Sequence, residues 1–375
     1  MQNNRRQCIR YLGLWCLNLL SGEVSAEKQK FYLLIESNAS SGTRDAGPAI
    51  IEGVNAAIVA AKELYPNIEI IPKLVNHYGN PSRAIDGLQL FTQNKMDWLG
   101  IVGGDDGNVS PAVLQWSQNQ GLPYGVAWAS NPSFNILPAG AVSRSLNDLT
   151  VLRSVWLLAK TKEKERWGLL LANDGLGRAV YDAVLAEQFS QDFPKLVGVE
   201  WHSLGSASIG LQCQALQLKG ADFIFMATHP EAAISLVNFQ AQKQKNTAPS
   251  LNSRFIPVVC SSSAWTKKMY SQTQGRVASS SLIFALPQDF NYVDRSLNLG
   301  FSHPASANAY LLTSALIANL GQQSHFSVPM GKVAWPNSKS SFALSQINSE
   351  LIAPSFMRYT NNGNLVSINP SSIFS

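Results

Sequence analysis

Met96-Asp97-Trp98-Leu99-Gly100-Ile101-Val102-Gly103-Gly104-Asp105-Asp106-Gly107-Asn108-Val109-Ser110-Pro111-Ala112 carries an apolar run into a bare polar loop and then into a helix-like segment opened by Pro111. Glycine lets backbone pass close to a bound molecule, and the free N–H groups of a helix start donate to polar or anionic groups. In open α/β sheets such loops line the crevice at the carboxyl edge of the strands. Gly103 to Asn108 is therefore a candidate binding loop.

Working outward, the same strand–loop–helix unit recurs on both sides. Upstream, Phe31 to Ile35 and Ile68 to Val75 read as strands, each followed by a polar loop and a helix (Pro48 to Leu64; Ser82 to Gln93, with Ser82 as N-cap). Downstream, Tyr124 to Trp128 is a strand ending in the loop Ala129-Ser130-Asn131-Pro132. Alternation of this kind predicts a parallel, doubly wound sheet with right-handed crossovers.

After a helix near Asn147 to Lys160 the pattern restarts, with strands at Arg166 to Ala172, Val197 to Trp201, Asp222 to Ala227 and Phe255 to Cys260. Asn173 to Gly177 and Ser261 to Trp265 are its strand-end loops. Ala278 to Pro287 reads as a return strand, Ser306 to Leu320 as a helix, and Asn362-Gly363 as a hairpin turn. Two α/β lobes follow, and a chain of 375 residues suits two cores better than one.

Charged residues make up 14% of the chain, against about 25% in ordinary soluble domains, and the formal net charge is +5. The basic residues are scattered, which argues against nucleic acid as a partner. Arg5, Arg6 and Arg10 precede the short apolar stretch Tyr11 to Leu20 and the small residues Val24-Ser25-Ala26. That order predicts a secretory leader at residues 1–26, cleaved after Ala26, and an exported mature protein. No later run of about 20 apolar residues could span a membrane. Cys213 and Cys260 then remain, either paired or as two buried thiols.

Several short motifs, weak singly, gain meaning from their order: Gly53-Val54-Asn55-Ala56-Ala57, the Gly103-Gly104 loop with Ser110-Pro111-Ala112, Ala129-Ser130-Asn131-Pro132, Asn173 to Gly177, and Gly220 to Phe225 followed by His229-Pro230-Glu231. With them the chain resembles the type I periplasmic binding proteins, in particular the leucine/isoleucine/valine-binding family of ABC importers, from Phe31 to about Leu365. The resemblance implies two doubly wound lobes joined by a three-crossover hinge, closing on a small ligand. It places residues 27–147 plus about 283–345 in an N-terminal lobe, and 148–282 plus about 346–375 in a C-terminal lobe. It also implies a periplasmic monomer that hands its ligand to a membrane permease.

Carried over position by position, the resemblance puts Asp105, Asp106, Gly107 and Asn108 where relatives receive a ligand carboxylate. Trp128, Ala129 and Ser130 fall where the ligand ammonium is met. In the second lobe it points to Leu176, His229 and the serines around Ser262, where the acid that usually pairs with the ammonium is missing. Two acids in place of a carboxylate receiver would repel a plain amino acid. The expected ligand is thus a small polar molecule that is amino-acid-like, amide or amine-bearing.

Each position has a plainer reading beside the functional one. Asp105 and Asp106 are either ligand acceptors or a solvated turn that caps the next helix. Trp128 is either a stacking wall or a core residue. Ser130 either meets ligand or caps a turn, and Arg44 either meets a ligand anion or pairs with Asp45. The five histidines show no metal-ligand spacing, and phosphate-loop, nucleophile-elbow and dinucleotide motifs are missing, so neither cofactor, metal nor catalysis is expected. A ligand-sensing domain on the same fold, and more distantly an enzyme, are the alternative readings.

Overall fold

An interior strand of the first sheet, β1 (Gln29–Ser37), is buried almost throughout from Phe31 onward, as a parallel strand covered on both faces must be. It belongs to a computed structural model that describes residues 28–40, 42–94, 96–187, 194–203, 208–246, 255–287, 300–301, 303–320 and 353–374. The predicted leader lies outside these residues.

Around β1 the chain adds helix α1 (Ala46–Leu64), β2 (Ile68–Asn76), α2 (Pro81–Thr92), β3 (Trp98–Gly103), α3 (Ser110–Gln120), β4 (Tyr124–Val126) and β5 (Ala141–Ser143). The strands form one parallel sheet in the order β2-β1-β3-β4-β5. One cap differs from expectation. Asn80, not Ser82, caps α2 by accepting from Arg83 N, because Pro81 takes the first helical position, where a missing N–H costs nothing.

The second lobe begins at α4 (Asp148–Thr161), capped by Asn147, and continues through β6 (Arg166–Ala172), α5 (Gly175–Glu187), β7 (Lys195–His202), α6 (Ile209–Leu218), β8 (Phe223–Ala227), α7 (Pro230–Asn246), β9 (Val258–Cys260), the short α8 (Met269–Gln272) and β10 (Leu282–Pro287). The chain then returns to the first lobe as α9 (Pro304–Leu320) and ends on the hairpin β11 (Pro354–Tyr359) and β12 (Leu365–Ser367). The second sheet runs β12-β11-β10-β9-β8-β6-β7, with only the hairpin strands antiparallel.

Because β10 pairs in parallel with β9, residues 283–287 belong to the second sheet, and the return to the first lobe comes after Pro287 rather than near 283. Of the three expected crossovers, the one from β5 to α4 is described throughout. The second is described only at 300–301 and from 303, and the third falls within 321–352, outside the described residues. Cys213 and Cys260 are unpaired buried thiols. Among the described residues no helix is long and apolar enough to cross a membrane.

Helix α9 lies directly on α1. A Cβ at Gly53 would stand 2.0 Å from the Ser306 carbonyl oxygen, so only glycine permits this approach, and Ser306 Oγ donates to Glu52 at 2.7 Å beside it. Gly53→Ala should force the helices apart and destabilise the first lobe by about 1–3 kcal/mol in denaturant unfolding. An unchanged midpoint would show that the helices separate freely.

Candidate functional site

The binding loop is shaped by two glycines with different jobs. A Cβ at Gly103 would fall 2.2 Å from the Glu36 carbonyl oxygen, so the residue's bareness lets β3 end flush against β1. Gly104 has φ +76°, which turns the chain sharply out of the sheet. Its N–H donates to Glu36 Oε2 at 2.7 Å, and Tyr124 donates to the same oxygen at 3.0 Å.

Beneath the loop, the fully buried His77 points Nε2 at two acids, 2.9 Å from Glu36 Oε1 and 3.0 Å from Asp105 Oδ1. Asp105 also accepts from Asn38 N at 3.2 Å. Burial works against a charged imidazole here. The negative charge of Glu36 and the hydrogen bond to Asp105 push the His77 pKa up, while the Gly79 N–H facing Nδ1 opposes the second proton that a charged ring would carry there. The Gly79 N–H, 2.9 Å from Nδ1, can only donate, so Nδ1 is bare and the acids hold the ring's proton on Nε2.

One donor atom from each of these three side chains lies within 4.8 Å of the others, a set that could hold a divalent cation. A cation on Nε2 would displace that proton to Nδ1 and set it against the Gly79 amide. The arrangement therefore fits a hydrogen-bonded anchor better than a metal centre.

Above the anchor, the two lobes meet through the protein's own side chains. Asp106 Oδ2 takes Arg44 Nη1 at 2.7 Å, and Arg44 Nε reaches Glu231 of the second lobe at 3.2 Å. Arg44 thus pairs with Asp106 and Glu231 rather than with the neighbouring Asp45. Asn108 Oδ1 accepts from the Gly175 N–H at the start of α5, at 2.8 Å. Leu176, fully buried, packs on Gly107, where a Cβ would meet its Cδ1 at 2.9 Å. Ser130 Oγ lies 2.6 Å from Ser263 Oγ, again across the lobes.

The floor of the cleft is aromatic. The Trp128 and Trp265 centroids are 6.0 Å apart, and His303, arriving with the crossover into α9, stands 4.9 and 5.1 Å from them. The Ala305 N–H donates to His303 Nδ1, which turns the Nε2 proton toward Asp45 Oδ1 at 3.4 Å. Burial lowers the pKa of His303 despite the opposing pull of Asp45. Burial pushes the Asp45 carboxyl the other way, but His303 and the Lys267 side of the second lobe outweigh it and hold its pKa below the ordinary value. On the second-lobe rim His229 Nε2 meets Asp174 Oδ2 at 2.6 Å.

Arg44, Asp45, Ala46, Asp105, Gly107, Trp128, His229, Pro230, Ser263 and Trp265 line one small space of about 20 Å³ that opens to solvent. Five residues picked from sequence line this space: Arg44, Asp105, Gly107, Trp128 and His229. Asp106, Asn108, Ser130 and Leu176 lie at the contact between the lobes, while Ala129 is buried behind the loop. The Ser262 hydroxyl is buried and makes no hydrogen bond, and its neighbour Ser263 faces the cleft instead. Sequence reasoning missed Asp45 and Trp265, and it reached Ser263 only as one of the serines around Ser262. Trp265 ends the strand-end loop after β9, so the positional argument that selected Trp128 applied to it equally. His303 had no local signal at all.

Asp105 and Asp106 are not two bare acids waiting for a ligand. Each is already answered, Asp105 by His77 and Asn38 and Asp106 by Arg44, so the repulsion expected from sequence is largely neutralised inside the first lobe.

Removing the imidazole should be costly. His77→Ala leaves two buried carboxylates facing each other and should destabilise the protein by about 3–5 kcal/mol in urea unfolding. Asp148, at the first crossover, makes the opposite kind of prediction. Burial raises its pKa from 3.8 to about 7, against a smaller lowering by Ser130. Between those values the native state keeps a proton that the unfolded chain releases, so stability falls as pH rises through that window. Asp148→Asn should be more stable than the parent at pH 8, with the difference gone near pH 4.

Solved structures with the same fold include a type 1 periplasmic binding protein from Bordetella pertussis Tohama I (15% identity, TM-score 0.65, covering 91% of this chain and 100% of that one). A possible leucine/isoleucine/valine-binding protein from Rhodopirellula baltica SH 1 is similar over 93% of this chain and 99% of its own (13% identity, TM-score 0.66). An ABC transporter solute-binding protein from R. palustris, solved with 4-hydroxybenzoate, is similar over 92% and 90% (14% identity, TM-score 0.60). No curated protein matches this chain by sequence. The family model described as periplasmic binding protein matches residues 36–266, more than half of the chain and both rims of the cleft, and the chain belongs to that family.

Proposed function

We propose that this protein is the solute-binding component of an ABC importer, exported to the periplasm, which captures one small amine- or amide-bearing molecule between its lobes and hands it to a membrane permease. The observation that carries the ligand class is the balance of groups around the cleft. The faces of Trp128 and Trp265 stand beside an acid-rich rim in which Asp105 is answered by His77, Asp106 and Glu231 share Arg44, and Asp45 faces His303. Such a site favours N–H donors and compact organic cations, which gain from both the carboxylates and the indole rings. The space left between the lobes in this arrangement, about 20 Å³, holds about one water, so a ligand enters only when the lobes part.

Capture requires the lobes to part and close again. A ligand that touches both rims shifts that equilibrium toward the closed form by its differential affinity. The cross-lobe bonds of Arg44, Asn108 and Ser130 lower the amount of closure energy the ligand must supply.

A thermal-shift screen over amino acids, amides, amines, sugars and aromatic acids tests the reading, since a specific ligand raises Tm by mass action. The expected hit bears an amine or amide, and Trp128→Ala or Trp265→Ala weakens it about tenfold. A nitrogen-free acid as the tightest ligand, or a hit insensitive to both tryptophans, would contradict this assignment.

A further inference from the structure

The start of α1 holds an acid that does not do what its position suggests. Asp45 is the N-cap residue of that helix, yet its side chain makes no capping bond. It is 5% exposed and lines the cleft. Its Oδ2 accepts from the Lys267 N–H of the second lobe at 3.1 Å. Among the described residues its Oδ1 completes no hydrogen bond, and neither does Nε2 of the fully buried His303, which stands 3.4 Å away. The other acids of the rim have partners: Asp105 has His77 and Asn38, while Asp106 and Glu231 have Arg44. Buried polar atoms are costly to leave unsatisfied, so this pair calls for a partner.

The two atoms are opposite in kind. The Ala305 N–H donates to His303 Nδ1 at 3.0 Å, so the ring proton sits on Nε2 and that atom is a donor. The Asp45 carboxylate only accepts. The rings of Trp128 and Trp265, 4.9 and 5.1 Å from that of His303, stand over the pair. Trp265 and Lys267 belong to the second lobe. When the lobes part, Asp45 loses the Lys267 N–H and the Trp265 side of its cover, and acceptor and donor remain side by side on the first lobe.

We propose that Asp45 and His303 together anchor the ligand and that the group they hold is a primary carboxamide, whose N–H donates to Asp45 Oδ1 and whose carbonyl oxygen accepts from His303 Nε2. This rests on the cleft being the ligand site, and it narrows the amine-or-amide class to amides. A carboxamide carries its donor and acceptor side by side, which is how Asn and Gln pair in bidentate fashion with an adenine edge. An ammonium would answer Asp45 but set its protons against that of His303 Nε2, leaving a buried donor unmet. A carboxylate would answer His303 and repel Asp45. A hydroxyl would have to serve both from one oxygen. The first lobe thus holds the amide, and the second closes over it with Lys267 and Trp265.

Isobutyramide, isobutylamine, isobutyrate and isobutanol share a branched hydrocarbon part and differ in the polar group. Each is titrated into the full chain while the indole N–H resonances of Trp128 and Trp265, identified by their loss in Trp128→Phe and Trp265→Phe, are followed by NMR. Isobutyramide should bind most tightly. His303→Phe keeps an aromatic ring and removes the donor, and it should weaken isobutyramide about tenfold while leaving isobutylamine unchanged or tighter. Asp45→Ala should weaken isobutyramide by a similar factor. A pair with a purely structural role would weaken all four probes alike. That result, an isobutyramide affinity indifferent to His303→Phe, tighter binding of another of the four, or indoles that none of them moves, would overturn the carboxamide anchor. The order of the four in the parent protein needs no variant, so it decides even where a substitution prevents folding. Isobutylamine as the tightest binder, lost in Trp128→Ala, would remove the anchor and leave the cleft as the ligand site, so the two readings fail separately.

Discussion

Two buried carboxylates, Glu36 and Asp105, share the Nε2 face of one imidazole, and much of the first lobe's binding edge follows from that. Glu36 belongs to β1, His77 follows β2, and Asp105 follows β3, so the cluster ties three neighbouring strand ends together at the carboxyl edge. Neither acid could stand alone at this depth, where an unpaired charge costs several kcal/mol. Their mutual dependence keeps Gly103 flush against β1 and sets where Asp106, Gly107 and Asn108 emerge. The same cluster explains why Asp105 belongs to the scaffold more than to the ligand.

Once that edge is fixed, closure becomes a matter of what the opposite lobe presents. Glu231 and Gly175 stand at or near the starts of α7 and α5, and Ser263 follows β9, so all three come from strand-to-helix loops of the second sheet. They meet Arg44, Asn108 and Ser130 at hydrogen-bonding distance. These are polar contacts of modest strength, each worth on the order of 1 kcal/mol net. Such contacts can hold a closed population without locking it, which is what a protein that must release its ligand requires. The aromatic floor of Trp128, Trp265 and His303 supplies the apolar contact that polar rims cannot.

The strands, the helices and their α/β order were legible because hydrophobic periodicity and turn residues are local signals. The loop at Gly103 to Asn108, Trp128 and His229 were found by position at strand ends, and the structure brings Arg44, Asp105, Gly107, Trp128 and His229 to one cavity. What could not be read was partnership. Asp105 and Asp106 looked alike in the chain, yet one turns inward to His77 and the other sideways to Arg44, because backbone direction after a positive-φ glycine decides which way each points. Which lobe takes the strand at Leu282 to Pro287 is illegible for a similar reason, since an apolar strand carries no mark of the sheet it will join.

The sequence by itself determined a two-lobed α/β protein with polar loops at its strand ends, since burial pattern and glycine placement are written residue by residue. Only the tertiary structure decided that Asp45, His303 and Trp265 share the cleft floor and that Ser130 reaches Ser263 across the lobes. Those groups are separated by tens to hundreds of residues in the chain. Their energies depend on burial and on distances of a few ångströms, quantities that exist only once the two sheets have been brought together.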